Sequence, residues 1–213
     1  MILKIESITL KRSNKILLVD FNLNINKSQI IILTGDNGVG KSTLIEAIAG
    51  LQSIYKGKIV YFSKSNKQIL YIGHSDCLKP ELSILDNLSI WCDLAKIDTN
   101  KEKCLESLKY FGIAHLYDRA VKKLSEGQKK KVILTKLLHS KSKIFLLDEP
   151  LSGLDLNSKK RLCNLLSSKA KSGKCVILST HEQLKLTNTK VINLNLISNR
   201  KNDNKNFNDW EDI

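Results

Sequence analysis

The chain has 213 residues, 42% of them hydrophobic, enough to bury one substantial core. Its formal charge of +14 rests on lysines spread from Lys4 to Lys201, with no aromatic-interleaved basic face, so composition argues against a nucleic-acid partner. No stretch approaches the roughly 18 apolar residues of a membrane span, and the first residues lack a signal-peptide pattern, so the expectation is a cytosolic chain that meets any membrane through a partner.

From the start, residues 2–5 and 16–19 read as short strands, and residues 21–25 alternate strictly, as a half-buried strand does. Residues 29–33 form a solid apolar run, the pattern of a strand covered on both faces. That run feeds Gly35-Asp36-Asn37-Gly38-Val39-Gly40-Lys41-Ser42-Thr43, after which residues 42–49 continue as a helix closed by Gly50. A Gly-rich loop between a buried strand and a helix is a phosphate cradle. Its glycines let successive N–H groups converge on phosphate oxygens, and the helix N-terminus adds partial positive charge. Lys41 is expected to reach the β- and γ-phosphates, and the Ser42 hydroxyl to ligate Mg²⁺.

Residues 76–139 have a helical texture. Ser83 with Asp86 makes a capping-box-like start, and Ile84, Leu88, Trp91 and Ala95 follow at helical spacing. Asn100 caps a second helix that ends at Gly112. Leu124-Ser125-Glu126-Gly127-Gln128 then opens a helical pattern over residues 129–138, and a helix start preceded by Ser and Gly offers a second anion site. This stretch is expected to be a helical insert between two halves of a parallel sheet.

Residues 143–147 read as a buried strand that delivers Asp148 and Glu149 to its end. Adjacent carboxylates there are unfavourable without a cation or hydrogen-bond partner. Asp148 is expected to hold Mg²⁺ through water. Strand alternation would aim Glu149 elsewhere, at an attacking water. An amphipathic helix follows through Leu162, Leu165, Leu166 and Ala170 to Gly173, then strands at 175–180 and 191–194. His181 follows the first of these. The five cysteines are scattered without a C-x-x-C pair and read as reduced thiols. Residues 1–197 are expected to form a single domain, and residues 198–213 a polar tail with little to bury.

Three motifs in this order, the phosphate loop, residues 124–128 and the strand ending in Asp148-Glu149-Pro150, resemble the nucleotide-binding domain of ATP-binding-cassette (ABC) proteins over almost the whole chain. The resemblance implies an α/β P-loop NTPase with a mainly parallel core sheet, an N-terminal antiparallel β subdomain and a helical insert. It implies ATP and Mg²⁺ as ligands, Glu149 as the residue that activates water, and His181 at the γ-phosphate. It also implies that Ser125, Gly127 and Gln128 close over ATP held by a second copy of the chain, with Asp155 coupling the two sites.

Two departures stand out. His74 occupies the place of the usual Gln near the metal, and residues 10–14 offer no aromatic ring for adenine, leaving the Arg12 guanidinium as a stacking plane. Tyr71-Ile72-Gly73-His74, followed by Leu78-Lys79-Pro80-Glu81-Leu82-Ser83, resembles the ATP-binding subunits of cytochrome c maturation, the haem exporter family. That implies an ATPase bound to integral membrane subunits at the cytoplasmic face of the inner membrane. Hydrolysis there either pumps haem or releases a haem-loaded chaperone. The alternatives are an ABC subunit for another substrate, and a soluble ABC ATPase acting on nucleic acid or ribosomes. A small-molecule kinase fits poorly with residues 124–128 and Glu149.

Overall fold

The computed structural model describes residues 1–62, 69–73, 77–184 and 186–199. His74 and the expected polar tail from residue 200 onward lie outside the described residues. In chain order the strands are β1 (Leu3–Arg12), β2 (Lys15–Ile25), β3 (Ile30–Thr34), β4 (Lys56–Tyr61), β5 (Ile69–Ile72), β6 (Ile144–Leu147), β7 (Cys175–Ser179) and β8 (Thr189–Asn193). The helices are α1 (Lys41–Ala49), α2 (Ile84–Leu94), α3 (Lys101–Tyr110), α4 (Glu126–His139), α5 (Leu156–Lys171) and α6 (Asn195–Asn199). Five strands form a parallel sheet in the order β5-β6-β7-β3-β8, and three form an antiparallel sheet in the order β2-β1-β4. This is the P-loop ABC fold that the motifs implied.

The apolar run in β3 shows why the parallel sheet must be covered twice. Ile30 and Ile32 join one core cluster with Phe145, Leu147, Val176 and Leu178, while Ile31 and Leu33 join the other with Leu146 and Ile177. Side chains alternate across a strand, so a continuous apolar run feeds both faces. The first face packs under α2 to α5 through Leu88, Leu108, Leu134 and Leu162; the second packs against α1 and the antiparallel sheet through Ile45, Ile48 and Ile5.

β1 and β2 are longer than the short strands expected from sequence. Their pairing slips at several points, and Ser7 and Asp20 sit at φ 46° and 51°. The Asn22 side chain accepts the Ser7 N–H at 2.8 Å and steadies the irregularity. Such bulges reset the in/out alternation, so one long hairpin reads as separate pieces. β4 escaped the sequence reading because only its second half carries apolar residues. Its Gly57 is needed where the backbone of Glu6 and Ser7 passes too close for a Cβ.

The helix starts follow their caps. Ser83 accepts from the Asp86 N–H, Asn100 from the Lys103 N–H, and Asp155 from the Ser158 N–H. α4 begins at Glu126, earlier than the expected Lys129, because Ser125 and Gln128 form a reciprocal capping box. Gly127 therefore lies inside the first turn. Among the described residues no helix is long and apolar enough to cross a membrane.

Candidate active site

The loop between β3 and α1 is shaped by glycines in conformations that L side chains resist: Gly35, Gly38 and Gly40 have φ of 133°, 79° and 113°. A Cβ on Gly40 would press on Leu17 of β2 at 3.2 Å, so the hairpin backs the cradle. Asn195 buttresses it from the other side, its Oδ1 accepting the Asp36 N–H at 3.0 Å. Lys41 is buried and folds back onto its own loop, donating to the carbonyls of Gly35 at 2.7 Å and Asp36 at 3.0 Å.

β6 ends at Leu147, and the two carboxylates beyond it face different surroundings. Asp148 is buried, and its Oδ1 accepts the Ser179 hydroxyl at 2.6 Å. Glu149 has φ 45°, so its direction comes from a left-handed backbone rather than the strand alternation expected from sequence. One of its oxygens, Oε1, is buried with no hydrogen bond, and His181 Nε2 lies 3.5 Å from it. The same His181 nitrogen lies 3.0 Å from Asn37 Oδ1 and 3.2 Å from Lys41 Nζ. β3, β6 and β7 are neighbours in the sheet, and that order brings these four sequence-predicted residues to one point.

They line a cleft of about 960 Å³. Asn37, Gly38, Gly40, Lys41, Ser42 and Thr43 form its floor, and Glu149 and His181 form one wall. Arg12, Lys15 and Leu17 of the first hairpin form the mouth, so Arg12 does reach the site. Tyr71, on the strand leading toward His74, has its phenol pushed up to about 12 by burial and by the nearby Glu46 and Asp148 carboxylates. A Cβ at Gly73 would overlap the Tyr71 hydroxyl, so any larger residue there would displace this ring.

Three cations that sequence reading passed over complete the picture. Lys15 lines the mouth. Lys130, on the face of α4 toward the cleft, lies near Asp148 and Glu149; burial lowers its pKa and those two carboxylates pull it back. Lys131 pairs with Asp155 at 2.5 Å, and this bond, with two from Ser158, holds the Asp155 carboxyl well below its ordinary range. Asp155 thus ties the start of α5 to α4 within one chain. Ser125 and Gln128 use their side chains on each other, and neither lines the cleft. Gly127 packs against the Gly153 carbonyl, and Gly153 does line it.

The donors suit a magnesium nucleotide. The Ser42 hydroxyl and Asp148 carboxylate are hard oxygen donors, the kind that would suit Mg²⁺ bound to phosphate with few protein ligands.

The model of the ABC transporter family matches residues 18–152. The chain is 33% identical over 189 residues to the cytochrome c biogenesis ATP-binding export protein CcmA of Gluconobacter oxydans, covering 89% of this chain and 85% of that protein. It is 33% identical over 201 residues to the CcmA protein of Reclinomonas americana, covering 91% and 90%. Among solved structures, an ABC transporter ATP-binding protein from Pyrococcus furiosus superposes with a TM-score of 0.82 at 25% identity, covering 93% of this chain and all of that one. The cleft, the fold and these matches agree: the chain belongs to the ABC transporter family, as an ATP-hydrolysing ATP-binding subunit similar to CcmA.

Proposed function

We propose that this chain powers haem export or delivery during c-type cytochrome biogenesis. It does so as a peripheral subunit on the cytoplasmic face of the inner membrane, bound to integral membrane subunits and paired with a second copy of itself. The observation that carries the assignment is near-full-length similarity to proteins named for cytochrome c biogenesis export. The Tyr71-Ile72-Gly73-His74 sequence supports it through its resemblance to the cytochrome c maturation subunits.

The hydrolytic roles follow from the cleft. On ATP binding, Lys41 exchanges the Gly35 and Asp36 carbonyls for the β- and γ-phosphate oxygens. Ser42 and Asp148 hold Mg²⁺, which offsets phosphate charge when bound. Glu149 accepts the proton of the attacking water. His181, within reach of Lys41, Asn37 and Glu149, orients on the γ-phosphate and on Glu149 together. Arg12 offers its guanidinium plane to the base. Ser125 and Gly127, unused in their own chain's cleft, serve the second copy's nucleotide, so the productive unit is a dimer. His74 belongs to this proposal as the group near the metal shell.

Affinity capture of the tagged chain from solubilised membranes tests the assignment. Co-purifying integral membrane proteins, with loss of c-type cytochromes when the chain is removed, are the expected result. Capture of ribosomes or RNA with normal cytochromes would overturn it.

A further inference from the structure

Ser179 closes β7 with a side chain that is 0% exposed, on the strand paired in parallel with β6. Its hydroxyl touches both members of the acidic pair that follows β6: Oγ lies 2.6 Å from Asp148 Oδ1 and 2.8 Å from the Glu149 nitrogen. The roles of these bonds are forced. An ionised carboxylate only accepts and a backbone N–H only donates, so Ser179 donates to Asp148 and accepts from Glu149.

The second bond falls at a strained point. Glu149 holds φ 45°, a region that a long side chain enters only when its surroundings impose it. The Glu149 N–H, in a part-buried setting, also needs an acceptor. Ser179 supplies that acceptor, so the bond fixes the peptide whose rotation aims the Glu149 carboxylate. The sheet does not need this hydroxyl for its own cohesion, because β6 and β7 are already joined by a parallel ladder from Ile144–Cys175 to Leu147–Leu178.

We propose that Ser179 is a positioning residue for hydrolysis: one hydroxyl sets Asp148 in its metal-holding orientation and locks Glu149 in the backbone conformation that points it into the cleft. This rests on the roles given above to Asp148 and Glu149. It makes metal use and water activation depend on a single buried hydrogen-bonding atom in a neighbouring strand.

The test uses the full-length chain purified with its membrane partners, comparing Ser179→Ala, Ser179→Thr and Glu149→Gln. Four quantities are read: kcat, ATP affinity without Mg²⁺, the Mg²⁺ concentration giving half-maximal turnover, and melting temperature. Ser179→Ala is expected to lower kcat by about 10- to 100-fold, the scale of a sub-ångström to 1 Å misplacement of a catalytic group. It should also raise the Mg²⁺ requirement and lower the melting temperature by several degrees, since Glu149 N–H and Asp148 Oδ1 lose a buried partner, with metal-free ATP affinity nearly unchanged. Ser179→Thr, which keeps a hydroxyl, should recover most of the rate. Wild-type kcat and Mg²⁺ dependence in Ser179→Ala, beside an inactive Glu149→Gln, would overturn the positioning role alone. Parallel losses of kcat, metal-free ATP affinity and melting temperature would overturn it too, as a general structural effect. Normal turnover in Glu149→Gln would instead overturn the underlying catalytic reading.

Discussion

Gly127→Ala sets two effects of known size against each other. In the first turn of α4, alanine should stabilise the helix by about 1 kcal/mol relative to glycine. A Cβ at this position, however, would sit 2.7 Å from the Gly153 carbonyl oxygen. Ordinary van der Waals contact begins near 3.4 Å, so the loop carrying Gly153 must retreat by about 0.7 Å. Overpacking of this kind costs about 1–3 kcal/mol, so the net change lies between about zero and 2 kcal/mol of destabilisation. For a chain of this size that lowers the melting temperature by no more than about 8 °C. The functional effect should be larger. Gly153 lines the cleft with Glu149, and the same loop leads to Asp155 and its Lys131 partner. A shift of this order at a catalytic wall should reduce turnover by about 10- to 100-fold. ATP binding to the isolated chain should change little, since Lys41 and its loop are untouched. Thermal melting, nucleotide titration and steady-state ATPase assays on one preparation decide the matter. Wild-type turnover with an unchanged or raised melting temperature would refute the packing argument.

Lys41→Ala should weaken ATP binding by about 100-fold, because it removes a buried ammonium making charge-assisted bonds worth about 1.5–3 kcal/mol each; titration of the purified variant checks this. Ser125→Arg should abolish hydrolysis in the dimer while leaving ATP binding to the single chain intact, at a cost of about 1 kcal/mol for the lost cap; weaker binding to the isolated chain would place Ser125 in its own cleft instead. Stability should fall on mild acidification through His139. Burial, then Lys103 and Lys169, lowers its pKa below the ordinary 6.5, so the unfolded chain takes up a proton that the folded chain refuses. The contribution is therefore full above the ordinary value and lost as pH falls through the folded value. His139→Leu should flatten denaturant stability measured across that window, and an unchanged slope would count against the burial argument.

The parts most legible in the sequence were those in which chemistry demands both residue type and spacing. The phosphate loop announces itself because only glycines tolerate φ of 133°, 79° and 113° in one short turn. Asp148 and Glu149 stand out as charges at the end of an apolar strand. Ser179 was hidden for the opposite reason: a hydroxyl in an apolar strand looks like neutral filler until the partner strand is in place. Lys130 and Lys131 were hidden among lysines, since nothing local separates one that faces buried carboxylates from one in water. The Asn195 contact to Asp36 spans most of the chain, and no local pattern encodes it. Glu149 lines the cleft, but its direction comes from a left-handed turn that strand alternation cannot foresee.

The central claim is that ATP hydrolysis at Glu149 drives c-type cytochrome assembly. Its most direct test replaces the chain in cells with Glu149→Gln, expressed at the native level, and measures covalent haem in c-type cytochromes. ATP binding should persist in the purified variant, since Lys41 and its loop are intact, while c-type cytochromes are lost and non-covalent haem proteins remain. Normal c-type cytochrome content with a hydrolysis-dead chain would contradict the account.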